Sequence, residues 1–178
     1  MLTVAAPDRA EARSNATFEA LMWSMARPGE VRALPEAGLG GIIEALIDLE
    51  CTVFADSADL MARVAQTGAR VTRQVEEADH VFVDTLGGTA WLEALRCGSA
   101  LYPDDGATLA MRTRHDGEYW LRLTGPGVER AREVSLSLPP EFWALRAQLC
   151  AYPEGFDLLL VDDDAVIGIP RSTMVEVL

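Results

Sequence analysis

The segment Ile169-Pro170-Arg171-Ser172-Thr173 contains the residue types that bind small oxyanions. The Arg171 guanidinium can donate two parallel hydrogen bonds to a phosphate, phosphonate or carboxylate group, and the hydroxyls of Ser172 and Thr173 can add further hydrogen bonds. The same arginine can instead pair with a carboxylate and tie two strands together, and we favour this structural role. The segment is nevertheless the strongest candidate for chemistry in the chain.

A second candidate is the turn Thr124-Gly125-Pro126-Gly127, which follows a predicted strand. Gly125 and Gly127 expose backbone N–H groups that could hold an anion. A simple chain reversal is the interpretation we favour. The candidate anion-binding set consists of Arg171, Ser172, Thr173, Gly125 and Gly127.

Other reactive side chains do not form a catalytic pattern. The two histidines, His80 and His115, have no histidine partner at helical or strand spacing, and Gly98-Ser99 lacks the glycine that a nucleophile elbow requires. We interpret both histidines as structural and assign no catalytic residue. Three widely spaced cysteines indicate reduced thiols in the core and no metal site: Cys51, Cys97 and Cys150.

Composition excludes several classes of function. All 15 basic residues are arginine, so the chain has no lysine for a Schiff base with pyridoxal phosphate or for a P-loop. The 28 acidic residues give a formal charge of −13, which disfavours nucleic acid and anionic membranes as partners. Gly38-Leu39-Gly40-Gly41 has Ile43 where a dinucleotide-binding loop needs a third glycine. We expect no cofactor from these residues, and neither secretion nor membrane insertion.

Hydrophobic spacing predicts the elements that must position these residues. Phe18, Leu21, Met22 and Met25 indicate an amphipathic helix that stops at Arg27-Pro28-Gly29. Further helices are predicted at 42–49, 57–68, 89–95 and from Pro139-Pro140 onward. Strands are predicted at 51–55 and 80–83. Two more strands, at 156–161 and 165–169, flank a turn at Asp162-Asp163-Asp164.

The segments 107–112 and 119–124 look like a hairpin, which would bring Arg112, Arg114 and Arg122 together. Helices and strands alternate early and strands cluster late. The pattern therefore predicts one α/β domain over residues 1–178, with three layers and a mixed β-sheet flanked by helices.

Several segments in this order resemble one protein family, and the C-terminal one is the most specific. They are Thr17-Phe18 through Met25-Ala26-Arg27-Pro28-Gly29, Gly98-Ser99-Ala100 through Pro103 and Gly106-Ala107-Thr108-Leu109, Leu121-Arg122-Leu123-Thr124-Gly125-Pro126-Gly127, Tyr152-Pro153-Glu154-Gly155-Phe156-Asp157, and Ile169-Pro170-Arg171-Ser172-Thr173-Met174-Val175-Glu176-Val177. This pattern resembles the PhnH family, the H subunit of the bacterial carbon–phosphorus lyase system.

The resemblance implies a cytoplasmic homodimer that joins the G, I and J subunits in a core complex. That complex is expected to form ribose 1-alkylphosphonate 5-triphosphate from ATP and an alkylphosphonate. The implied fold is similar to pyridoxal-phosphate-dependent transferases without the cofactor, in agreement with the missing lysine. We expect an accessory subunit without chemistry of its own, and alternatively a small-anion-binding protein or enzyme that uses the Arg171 region. Trp23, Trp91 or Trp143 would be interface candidates if exposed.

Overall fold

A seven-stranded mixed β-sheet forms the centre of the computed structural model, which describes residues 8–178. The helices are α1 (Arg9–Ala26), α2 (Gly40–Leu46), α3 (Ala58–Thr67) and α4 (Pro140–Leu149). The strands are β1 (Val31–Ala33), β2 (Thr52–Ala55), β3 (Arg70–Thr72), β4 (His80–Val83), β5 (Thr108–Arg112), β6 (Tyr119–Thr124), β7 (Arg132–Leu136), β8 (Asp157–Asp162), β9 (Ala165–Ile169) and β10 (Met174–Val177). Short 3-10 helices cover Val75–Glu77, Ala90–Ala94 and Pro103–Asp105.

The order of the large sheet is β1-β9-β8-β5-β4-β2-β3. Strands β3, β2, β4, β5 and β8 run parallel, whereas β9 is antiparallel to both β8 and β1. A separate antiparallel sheet has the order β10-β6-β7. The predicted mixed sheet and α/β class are therefore confirmed.

The two faces of the large sheet are covered differently. Helices α1, α2 and α3 cover one face, over a core that includes Leu21, Ile43 and Val64. The opposite face packs against α4 and the small sheet, through residues such as Leu121 and Phe142. The sequence pattern predicts helices around one sheet, so the second sheet is a difference from the prediction.

The predicted hairpin of residues 107–112 and 119–124 is wrong. Strand β5 lies inside the large sheet, where Ala110 pairs with Phe82 on one side and Leu159 on the other, and β6 belongs to the small sheet. Leu109, Ala110 and Met111 are consecutive apolar residues buried on both faces, which is typical of a central parallel strand.

The three arginines are therefore not brought together by a hairpin. Each forms its own ion pair: Arg112 with Asp84 at 2.8 Å, Arg114 with Asp116 at 2.9 Å, and Arg122 with Glu133 at 3.3 Å and Glu176 at 3.2 Å.

Helix α1 ends where Pro28-Gly29 predicted, but its buried face differs from the predicted stripe. Leu21 is buried, whereas Phe18 and Met22 are 47% and 55% exposed. The buried face instead carries Thr17, Ala20, Leu21 and Ser24. Small residues lie at the contact because the helix backbone passes close to Gly168 of β9, leaving no room for larger side chains.

Two other local predictions are confirmed. Ser57 caps α3 by accepting a hydrogen bond from the Leu60 amide, and Gly68 ends the helix in the left-handed conformation. Asp163, in the tight turn between β8 and β9, also has a positive φ of 50°. Within residues 8–178, no helix is long and apolar enough to cross a membrane. The single domain over 1–178 stays a prediction, and its first seven residues lie outside the described range.

Candidate functional site

A cavity of about 600 Å³ lies beside the amino ends of β5 and β8, between α4 and the segment that joins β9 to β10. It contains three residues of the predicted anion-binding set, Arg171, Ser172 and Thr173. The remaining lining is formed by Pro126, Trp143, Arg146, Ala147, Cys150, Tyr152, Met174 and Val175. Gly125 and Gly127 flank the lining residue Pro126 and are not themselves among these residues.

Arg171 forms an ion pair with Asp157, the first residue of β8. Its Nη2 lies 2.7 Å from Asp157 Oδ2, its Nε lies 3.2 Å from the same oxygen, and the Arg171 amide donates to Asp157 Oδ1 at 2.8 Å. The guanidinium also donates to the carbonyls of Pro103 and Gly106. Burial alone would lower the pKa of Arg171, but the hydrogen bonds and charge of Asp157 raise it overall. These contacts are those of the structural role favoured from the sequence.

Arg146, on α4, was not identified by the sequence analysis. It is only 2% exposed, and its Nη1 and Nη2 donate to the carbonyls of Thr173 at 3.1 Å and Pro170 at 2.7 Å. Its Nε has no hydrogen-bond partner among the described residues. Burial lowers the pKa of this guanidinium. An arginine among the apolar residues of the predicted helix is a sign of an unusual position. The hydrogen-bond partners of Arg146 could not be inferred from the sequence.

Thr173 and Ser172 differ in their surroundings. Thr173 is 2% exposed, and its Oγ1 makes no hydrogen bond with residues 8–178. Ser172 is half-buried, and its carbonyl oxygen lies against Gly125, where a Cβ would approach it to 2.9 Å. Gly125 has a φ of 128°, so the turn depends on glycine to approach the segment that carries Ser172. This close contact accounts for the glycine at position 125, and no bound anion is needed to explain the turn.

Cys97 and Cys150 are free thiols beside this region, and Cys51 is free elsewhere in the chain. All three are half-buried, not fully buried in the core as expected. Burial raises the pKa of the Cys97 thiol, with the neighbouring Cys150 contributing in the same direction. The raised pKa keeps Cys97 protonated near neutral pH, so it is a poor nucleophile.

The opposite edge of the sheet holds a second polar group, at the carboxyl ends of the parallel strands, where ligands of α/β proteins usually bind. There Asp56 accepts hydrogen bonds from the amides of Asp84 and Thr85 at 2.9 and 3.2 Å, and Asp84 pairs with Arg112. A smaller cavity of about 290 Å³ lies beside Asp56 and is lined by Trp91, which is half-buried. Asp84 is therefore already paired with a cation, and Asp56 is held by main-chain amides.

The two histidines lie apart from the large cavity. His115 has its Nε2 3.0 Å from the Leu160 carbonyl, and its amide donates to Asp162 at 2.9 Å. His80 begins β4, and its Nδ1 has no partner among residues 8–178. Within the same residues, no cluster of three histidine, cysteine or acidic side chains is arranged to hold a metal ion.

We expect stability to fall as the pH drops below about 6.5, the ordinary pKa of histidine. Burial lowers the pKa of both His80 and His115, so the unfolded chain binds more protons than the folded protein below that pH. The contribution of the two histidines to stability is fully present above the pKa that histidine has in the unfolded chain. It is lost as the pH falls through the lower pKa that each histidine has in the folded protein. Urea denaturation at pH 7.5, 6.5 and 5.5 measures the loss.

The double variant His80→Gln, His115→Gln is the control for this pH dependence. It should show a smaller loss between pH 7.5 and 5.5 than the unsubstituted protein. Equal losses in both proteins would contradict the assignment to the histidines.

Comparison with known proteins connects this structure to one family. A model of the family described as "Bacterial phosphonate metabolism protein (PhnH)" matches residues 7–176, nearly the whole chain. The chain belongs to the PhnH family. The resemblance seen in the C-terminal segment, which includes Arg171, is thereby confirmed.

Two relatives match this chain over most of the length of both proteins. The chain is 35% identical over 172 residues to a protein named as a putative C-P lyase subunit, HtxG, from Stutzerimonas stutzeri, covering 90% of this chain and 85% of that protein. It is 28% identical over 182 residues to the alpha-D-ribose 1-methylphosphonate 5-triphosphate synthase subunit PhnH of Rhizobium meliloti (strain 1021), covering 92% and 90% of the two chains.

Proposed function

We propose that this PhnH-family protein is an accessory subunit of a carbon–phosphorus lyase core complex in phosphonate catabolism. It supports formation of ribose 1-alkylphosphonate 5-triphosphate from ATP and an alkylphosphonate without performing a chemical step alone. Its partners are a second copy of itself and the G, I and J subunits, in the cytoplasm. The names of the two relatives support membership of such an assembly.

One observation carries the proposal, namely the apolar outer surface of α1. Phe18 and Met22 lie four residues apart, on successive turns of one helix face, and are about half exposed. Trp23, an interface candidate from the sequence, is 45% exposed, with Arg27 and Arg32 within 5.5 and 5.7 Å of its ring centre. Trp143, another candidate, is buried. Tryptophan and arginine together are enriched at the centres of protein interfaces.

The proposal is tested by light scattering of the purified protein, alone and mixed with co-expressed G, I and J subunits. A mass near twice 19.3 kDa for the protein alone, and a stable larger complex with the other subunits, are the expected results. A protein that associates with none of the three subunits would contradict the proposal. Turnover of ATP and methylphosphonate by the isolated protein would contradict its accessory role.

Met22→Glu is expected to weaken assembly with the other subunits about 30-fold, because a charge would be buried in an apolar contact. The affinity is measured by titrating the variant into the remaining subunits. Leu49→Glu is the matched control, since Leu49 is a 76% exposed apolar residue outside α1. Equal affinity of the two variants would exclude α1 from the interface.

The similarity to pyridoxal-phosphate-dependent transferases that the family resemblance implied stays a prediction. The absence of lysine from the sequence removes the residue that would form the Schiff base with that cofactor.

A further inference from the structure

We propose that the cavity between α4 and residues 169–175 binds a small organic oxyanion through Arg146 and Thr173. The ligand class is a phosphonate, phosphate or carboxylate group attached to an apolar or aromatic body. This site differs from the sequence prediction in its anchor, because Arg146 replaces Arg171 as the main cationic group. The inference goes beyond the subunit role and does not depend on assembly with partners.

The charges around the cavity are not balanced. Two guanidinium groups, Arg171 and Arg146, line it. Asp157 is bound directly to Arg171, whereas it acts on Arg146 only through longer-range attraction. Arg146 is buried and forms no ion pair with the described residues; its hydrogen bonds go to carbonyl oxygens. An uncompensated buried cation is costly, and a bound anion would remove that cost.

Two residues that line the cavity carry hydrogen-bonding groups without a partner among residues 8–178. Arg146 Nε and Thr173 Oγ1 are both buried, and neither has a partner among residues 8–178. Buried polar atoms are usually hydrogen-bonded, so two exceptions on adjoining cavity residues indicate a missing ligand atom. Each atom has almost no accessible surface, so an oxyanion accepts hydrogen bonds from both groups only when it displaces the side chains that cover them. The main-chain bonds of Arg146 to Thr173 and Pro170 hold its side chain in position before a ligand arrives.

The apolar side chains around the cavity favour a ligand that has an apolar part. Trp143, Ala147 and Val175 contribute apolar walls, and the exposed side chains of Tyr152 and Met174 also border the cavity. A cavity of about 150 Å³ is sufficient for benzene, so about 600 Å³ accommodates an aromatic ring together with its charged group. Inorganic phosphate would leave these apolar walls uncovered and should bind more weakly than an organic oxyanion.

Isothermal titration calorimetry with phenylphosphonate tests the site, with inorganic phosphate as the comparison ligand. Saturable binding of phenylphosphonate at one site per chain, at least tenfold tighter than phosphate, is expected. Absence of phenylphosphonate binding at millimolar concentrations would overturn the proposal. Equal affinity for the two ligands would also overturn it, since the apolar walls would then contribute nothing.

The variant Thr173→Val removes only the unpartnered hydroxyl, and the fold should tolerate it because that hydroxyl makes no hydrogen bond. We expect it to weaken phenylphosphonate binding about tenfold or more. The control is Thr17→Val, which changes another buried threonine, in α1, whose hydroxyl bonds only within its own helix. A folded Thr173→Val protein that binds as tightly as Thr17→Val would refute the role of Thr173 and the proposed site.

Discussion

Gly168→Ala is expected to lower the free energy of unfolding by about 3 kcal/mol. Gly168 lies in β9 where α1 crosses the sheet, and a Cβ there would lie 2.6 Å from the carbonyl carbon and oxygen of Ser24 and 2.8 Å from the Met25 nitrogen. These are helix backbone atoms, so no side-chain rotation can relieve the overlap. The helix would have to move away from the sheet and expose part of the core around Leu21.

Gly41→Ala provides the matched control for this effect, since it places a methyl group where space exists. Its Cβ would lie 3.7 Å from Glu36 Cβ and from Thr17 Oγ1, an ordinary contact distance, inside helix α2. Alanine in a helix is favoured over glycine, so this variant should gain about 0.5–1 kcal/mol. Urea denaturation at pH 7.5 measures both variants. Similar stabilities for the two would contradict the close approach of α1 to β9.

Arg171→Ala is expected to lower the free energy of unfolding by about 3 kcal/mol, the second large effect. The substitution leaves the Asp157 carboxylate without its cation and leaves the carbonyls of Pro103 and Gly106 without their donor. The Arg171 and Asp157 side chains are only 14% and 21% exposed, so water compensates poorly. The loss should weaken the connection between the β9–β10 segment and the amino end of β8.

A double-mutant cycle measures how much of this effect belongs to the pair. The losses in free energy of unfolding should be strongly non-additive for Arg171→Ala and Asp157→Ala. The double variant should lose less free energy of unfolding than the sum of the losses of the two single variants. Arg114→Ala is the comparison, because Arg114 and Asp116 are 70% and 74% exposed, so water screens their attraction and the pair should contribute little to stability. If Arg171→Ala cost no more than Arg114→Ala, the structural role of Arg171 would be wrong.

Local signals in the sequence predicted single elements well. Ser57 and Gly68 mark the two ends of α3, and Pro28-Gly29 marks the end of α1, because caps and helix-stopping residues act over one turn of chain. The strands β2, β4, β8 and β9 were likewise recognised from short apolar runs. What these signals could not provide was the pairing of strands, which depends on contacts between distant residues.

The wrongly predicted hairpin is an example of how strand pairing cannot be predicted from local signals. A polar turn between two β-type segments suggested that they pair, yet β5 pairs with β4 and β8, and β6 pairs with β7 and β10. The residues of β5 distinguish a central strand from a hairpin strand, because their apolar positions do not alternate with polar ones. Continuous burial indicates a central strand with partners on both sides.

Only the part of the candidate site that is contiguous in sequence could be predicted. Residues 171–173 are adjacent in sequence and face the same cavity, so a local pattern could identify them. Arg146 reaches the same cavity from α4, and only the packing of that helix against the β9–β10 segment brings it there. Long-range hydrogen bonds from an arginine to main-chain carbonyls leave no pattern in the sequence.

The pairing of β1 with β9, which matches Val31 with Ile167, has a consequence for how the protein is made. Strand β1 cannot find its partner until the ribosome has synthesised the chain through β9. Translation proceeds at about 5–20 residues per second, so the first helix waits on the order of ten seconds before β9 is available to it. During that interval the apolar side of α1 around Leu21 lacks its native cover from the sheet. Contacts between the two ends of a chain also slow refolding, because a long loop must close first. Until β9 has been made, the apolar residues on this side of α1 are free to associate with other chains.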